Sequence, residues 1–258
     1  MIYITGDKHG RFDSIEYFCN AKHTTKDDIL IVLGDLGVNY YGGRRDKSRK
    51  RYLNNMPITT IAIRGNHELR PDPSWPIRTI ANDAVIGNFA VEPGFESILY
   101  ALDGRSYTLH TSDGWKSAFV IGGAYSVDKY YRLGAYAAGN HDMLWFEDEQ
   151  LSDDEKKQVK SSLLRHIVLA EEANPEGNGF PDYLLTHTCP LSLEPVDMFL
   201  PQVDQSTVDT STEEFLDDIL RTLEGNHVKY EKWFCGHWHT DRTAPENLRF
   251  VFNDFVSL

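Results

Sequence analysis

Apolar side chains fall in short, mostly β-branched runs along the first quarter of the chain. Ile2 to Thr5 stops at Gly6-Asp7, Ile29 to Leu33 stops at Gly34-Asp35, and Thr59 to Ile63 stops at Arg64-Gly65-Asn66-His67. Runs this short, with no polar alternation, suit strands buried on both faces. Between the first two, Phe12, Ile15, Phe18 and Cys19 recur at offsets of three and four, which predicts a helix over Arg11 to Lys22. Arg44 to Asn54 predicts a second helix before the third strand. A β-α-β-α-β order calls for a mostly parallel sheet. Working groups in such sheets collect at the carboxyl ends of the strands, and all three runs end in glycine and polar residues there.

The pattern then changes. Ser97 to Leu109 and Trp115 to Gly122 read as strands in antiparallel hairpins, with turns at Asp103-Gly104 and Asp113-Gly114. Tyr125 to Asn140 has no clear period and is expected to be a glycine- and tyrosine-rich loop. Ser152 and Glu155 have capping-box spacing at the start of a helix reaching about Ala173. Beyond it come a strand over Tyr183 to Thr186 ending at His187, a proline-punctuated surface loop over Leu191 to Thr212, and a helix over Thr212 to Leu223. A strand over Tyr230 to Cys235 ends at Gly236-His237-Trp238-His239, and Leu248 to Phe252 is a closing strand. With no internal repeat and no dividing linker, a single domain over residues 1–258 is expected.

Charge narrows the function. Lys and Arg number 26 against 39 Asp and Glu, a formal net charge of −13, which argues against a general binder of long nucleic acid. It leaves open an enzyme that meets phosphate through bound metal. The one basic block, Arg44 to Arg51, is net +5 and reads as a solvated helix face or as a patch that steers anions. Cys19, Cys189 and Cys235 cannot all pair, so a reducing compartment is the simpler reading. No signal-peptide pattern and no apolar run of membrane-spanning length is visible, and the expectation is a cytoplasmic protein with no membrane partner.

Five strand ends carry metal-type ligands: Asp7 and His9, Asp35, Asn66 and His67, His187, and His237 and His239. Residues two apart on an extended segment point to one side, so each D-x-H or H-x-H pair can converge. Mixed imidazole and carboxylate donors suit Mn, Fe, Zn or Ni. His23, His166 and His227 fall in helix or loop contexts and are read as surface or packing residues. His141 repeats the Asn-His pair of the third strand end without an apolar strand before it.

Gly6-Asp7-Lys8-His9-Gly10, Gly34-Asp35, Gly65-Asn66-His67-Glu68, His187 and Gly236-His237-Trp238-His239 resemble, in order, the five motifs of the calcineurin-like metallophosphoesterases. Arg64 to Glu68 is similar to the form found in Ser/Thr protein phosphatases. The resemblance implies an α/β fold of two packed mixed β-sheets flanked by helices, an α/β/β/α sandwich. It implies a two-metal site in which Asp7, His9, Asp35 and His239 hold one ion and Asp35, Asn66, His187 and His237 the other. His67 would protonate the leaving oxygen, and Arg64 would bind a phosphate oxygen. Val38 and Asn39 depart from the protein-phosphatase pattern, where an Asp and an Arg follow the bridging Asp. In the segment Gly122 to Arg132, Lys129 or Arg132 could supply the missing cation.

The expected function is metal-dependent hydrolysis of a phosphomonoester or phosphodiester. The alternatives are a nucleotide phosphodiesterase or nuclease, and a binding scaffold of the same fold without catalysis.

Overall fold

In the computed structural model, which describes residues 1–258, strand β1 (Ile2–Thr5), helix α1 (Asp13–Lys22), strand β2 (Ile29–Val32), helix α2 (Arg44–Asn54) and strand β3 (Thr59–Ala62) follow the predicted order. The three strands pair in parallel, with Thr5 opposite Val32 and Val32 opposite Ala62, so their carboxyl ends are level. Both faces are covered, which is why the runs are continuously apolar. Tyr3, Leu30 and Val32 pack outward with Ile15 and Phe18 of α1 and Leu53 of α2. Ile2, Ile4, Ile29 and Ile31 face inward.

A hairpin of β4 (Ile77–Ala81) and β5 (Val85–Ala90), which was not expected, precedes β6 (Ile98–Tyr100), which runs parallel to β3. The hairpin β7 (Ser106–Thr111) and β8 (Gly114–Ile121) turns at Asp113-Gly114 as expected. Helix α3 (Lys129–Ala137) replaces the loop expected over Tyr125 to Asn140. Nothing on α3 is buried, and Tyr130, Tyr131, Leu133 and Tyr136 are all exposed. An Asp128–Arg132 ion pair spans its first turn.

Helix α4 (Asp153–Ala173) starts on the predicted Ser152–Glu155 capping box. Strand β9 (Tyr183–Thr186), helix α5 (Ser211–Gly225) and strands β10 (Lys232–Cys235), β11 (Arg242–Thr243), β12 (Leu248–Phe250) and β13 (Val256–Ser257) complete the chain. Strands β8, β9, β10 and β12 are mutually parallel neighbours, and β13 returns antiparallel to β1.

The two-sheet sandwich is present as two halves of one hydrogen-bonded sheet, joined where β5 meets β6 at the Ala90–Tyr100 pair. The halves face each other across Ile4, Ile31, Val120, Leu185 and Phe234. Helices α4 and α5 cover the outer face of the second half through Leu163, Ile167, Leu216 and Ile219. No helix is long and apolar enough to cross a membrane.

Candidate metal centre

The parallel strands of both halves end on the same side, and the expected ligands gather there. Asp7, Asp35 and His187 each offer a ligand atom within 4.8 Å of the others, and so do Asp7, His9 and His239. Asp35 Oδ2 lies between these groups, 3.8 Å from His9 Nδ1 and 3.9 Å from His187 Nε2. Asn66 Oδ1 is 2.8 Å from His187 Nε2, and the His237 ring stands 5.0 Å from the His187 ring. Asp7, Asp35, Asn66 and His187 are buried, whereas the side chains of His9 and His239 remain 35% and 48% exposed.

The backbone at these strand ends is bent into an uncommon shape. His9, Asp35, His237 and His239 all have φ between 47° and 63°. Left-handed backbone at a non-glycine residue costs about 1 kcal/mol or more, and such strain concentrates at functional sites. Glycine is required at two contacts. A Cβ on Gly34 would lie 2.0 Å from His187 Nδ1, and one on Gly65 would lie 2.0 Å from Asp35 Oδ1.

The hydrogen bonds turn ligand-type atoms toward one another. His187 Nδ1 donates to Leu33 O at 2.7 Å, which aims Nε2 into the cluster. Asn66 Nδ2 donates to Ser126 Oγ at 2.8 Å, which turns Asn66 Oδ1 toward His187 Nε2. His9 Nε2 and His239 Nε2 also meet head-on at 3.1 Å, beside two buried carboxylates. Acceptors and like charges crowded in this way fit a cation between them.

The charges agree with this fit. Burial pushes the Asp7 carboxyl up, but the His239 hydrogen bond and the imidazoles of His187 and His9 outweigh it and hold Asp7 below the ordinary range. Asp35 is likewise raised by burial and lowered further by His187 and His67. Burial, with His187 alongside, lowers His237 to about 3, so its imidazole is neutral and free to ligate.

The other expected residues divide. His67 lines the cleft with the cluster, and its backbone N–H donates to Asp35 Oδ1 at 2.8 Å. Arg132 reaches it: Nη2 donates to His67 Nε2 at 3.3 Å, Nε is held by both Asp128 oxygens, and Nη1 donates to the Tyr40 hydroxyl. Arg64, expected to bind phosphate, has its guanidinium engaged by Asp103, Glu149 O and Gly122 O at 2.7–3.1 Å and lines a different cavity. Lys129 also stays away, its Nζ 4.1 Å from the Trp145 ring centroid. Val38 is fully buried in the core beneath α1 and α2, and buried Asn39 lines a small cavity with Glu68 and Tyr100. His141 packs edge-on against Tyr136 on the surface. Within the basic block Arg49 donates to Gly37 O and Lys50 is paired with Glu92, while Arg44, Arg45, Lys47 and Arg51 are exposed.

Sequence reasoning missed Ser126 and Glu149. Ser126 Oγ accepts from Asn66 and donates to buried Glu149 Oε2 at 2.5 Å, so the pair sets the orientation of the Asn66 amide. No local signal marks either residue; they meet Asn66 only through the fold.

A buried Asp and His cluster at the carboxyl ends of parallel strands, with acceptors converging on one space, defines a candidate centre of metal-dependent hydrolytic chemistry. The calcineurin-like phosphoesterase family model matches residues 1–241, and the chain belongs to that family. Family and cluster together make the protein a metal-dependent phosphoesterase. No curated relative matches the sequence at a significant level. One solved crystal structure superposes with a TM-score of 0.45 at 12% identity, covering 97% of this chain and 88% of its own.

Proposed function

We propose that the cluster holds two divalent or mixed-valence transition metals, Mn foremost, with Fe, Zn or Ni also suited to the donors, and that the protein hydrolyses phosphomonoesters, phosphodiesters or both. Asp7, His9, Asp35 and His239 hold one ion, Asp35, Asn66, His187 and His237 the other, and Asp35 is common to both. The observation that carries this reading is the convergence of nitrogen and oxygen ligand atoms on one space, above all His187 Nε2 and Asn66 Oδ1 2.8 Å apart beside the Asp35 carboxylate. When bound, such ions supply Lewis acidity toward the phosphoryl group and an activated water.

The chain's own groups orient the ester and handle the proton. His67 is the proton donor to the leaving oxygen. Its Nε2 accepts from Arg132, so that atom is unprotonated while the bond lasts. Transfer of Arg132 to a phosphoryl oxygen frees Nε2 to hold a proton. Arg132 thereby takes the part expected of Arg64, with Asp128 and Tyr40 fixing its planar fork.

Hydrolysis of 4-nitrophenyl phosphate and bis(4-nitrophenyl) phosphate with added Mn²⁺ tests the reading. Absence of turnover with either ester under all four metals would overturn it. His67→Ala should lower kcat by ~10²–10⁴-fold on alkyl phosphates and by less on nitrophenyl esters, whose leaving groups need little protonation. Equal losses on both would remove His67 from the role. Arg132→Ala should raise KM for the monoester more than for the diester, because the monoester carries more charge.

A further inference from the structure

The cavity that contains Asp7, Asp35, Asn66 and His67 extends beyond them to a volume of about 500 Å³, within the range of small-molecule sites. Its far wall is apolar: Met198, Phe199, Leu200, Val203, Val208 and Trp238. Trp238 lies in sequence between His237 and His239, so its indole is fixed next to the cluster. Its Nε1 donates to Thr188 Oγ1 at 3.3 Å, and Phe199 stacks on it with centroids 5.7 Å apart and planes 21° apart. Polar side chains interrupt the apolar lining: Asp128, Gln205, Thr210 and the carboxyls of Glu194 and Glu213. Glu213 is 4% exposed, and its Oε2 has no hydrogen-bond partner. A buried acceptor without a donor is uncommon in a folded protein.

These features constrain the organic part of the ester. An open-chain polyol would satisfy Glu213 and leave the aromatic wall uncovered. An alkyl chain would cover the wall and leave Glu213 unpartnered. We infer that the cavity takes a phosphoester carrying a planar heteroaromatic group with an exocyclic N–H donor, the chemistry of an amino-substituted nucleobase, its flat face on an outer face of the stacked Trp238–Phe199 pair and its donor toward Glu213. This rests on the phosphoesterase reading above and names the substrate class for the same cleft. The carboxyls suit the role: burial, with Asp217 near Glu194, raises both Glu194 and Glu213 to about 7, so a donor that joins them stabilises the ionised acceptor.

Binding to the metal-free protein tests the inference without relying on turnover. Titration calorimetry should show saturable binding of adenosine, about five-fold weaker binding of purine riboside, which lacks the exocyclic amine, and no binding of ribose. Trp238→Ala, and separately Phe199→Ala, should weaken adenosine roughly ten-fold or more. Glu213→Leu should erase the difference between adenosine and purine riboside. With Mn²⁺ present, kcat/KM for adenosine 5′-monophosphate should exceed that for ribose 5-phosphate by roughly ten-fold or more, and the methyl diesters of the two should differ likewise. The alkoxide leaving groups are matched, so the base alone makes the difference. No adenosine binding, or equal affinity for adenosine and ribose, would overturn the inference. Turnover of 4-nitrophenyl phosphate with no preference for the adenine esters would overturn it and leave the phosphoesterase reading standing. Adenosine binding with no hydrolysis of any ester would support the cavity assignment and overturn the catalytic one.

Discussion

The floor of the cleft is made from strand ends whose side chains are charged, buried and cross-linked by hydrogen bonds, whereas its far wall comes largely from residues 194–210, a stretch of short 3₁₀ turns with apolar side chains. On the floor, each ligand is within a few residues of a strand that the core locks on both faces, so the atoms can be held close despite strained backbone at four positions. On the wall, Met198 and Leu200 remain 38% and 46% exposed. Chemistry that needs atoms fixed to fractions of an ångström is placed on rigid elements, and the part that meets a variable organic group is left on adaptable connections.

If floor and wall are separable, damage to one should spare the other. The largest effect is expected from Asp35→Asn, which removes a carboxylate placed between the two ligand groups. Elemental analysis should find both metals lost and phosphoester turnover below detection, while adenosine binding on the wall persists. Two metals still bound would break the shared-ligand assignment. Next comes Gly34→Ala, which puts a Cβ 2.0 Å from His187 Nδ1 at a backbone φ of +94°. Overpacking and left-handed strain together should lower stability by about 3 kcal/mol or more, read as a fall in denaturant midpoint. A midpoint unchanged from the parent would show that the floor is less rigid than its contacts indicate.

The wall has a pH signature of its own. Burial holds the proton on Glu213 up to about 7 in the folded chain, while the unfolded chain releases it near 4.5. That contribution to stability is full below 4.5 and is lost as pH rises toward 7, amounting to about 2–3 kcal/mol. Glu213→Gln should flatten this slope, and denaturation at pH 5 and pH 8 checks it; an unchanged slope would remove Glu213 from the account. The smallest effect is expected from Ser126→Ala, which frees the Asn66 amide to turn. Metal affinity should fall ~10-fold by competition with a chelator, while adenosine affinity should not change. An equal fall in adenosine affinity would join floor and wall into one unit.

The difference between floor and wall also governs what could be read before the fold was known. Asp7, Asp35, Asn66, His187, His237 and His239 stand directly after apolar runs, and a strand's end follows from local pattern, so their convergence was legible. The parallel order of β1, β2 and β3 and the capping box of α4 were legible for the same reason: each depends on neighbours in sequence. The partners of Arg64 were not legible, because its motif position is local but Asp103, Gly122 and Glu149 are distant. Helix α3, which buries nothing, was missed, and with it the path by which Arg132 reaches His67.

Trp238 stood in plain sight between two histidines, yet only the approach of Phe199 makes it half of an aromatic wall. The amino-acid sequence alone thus settled the strands and the Asp and His residues at their ends, because backbone hydrogen bonding and burial impose them within a few residues. Tertiary structure decided which cation reaches His67, which amide is oriented and what lines the cleft, because those depend on side chains brought together from far along the chain, and no local period encodes that meeting.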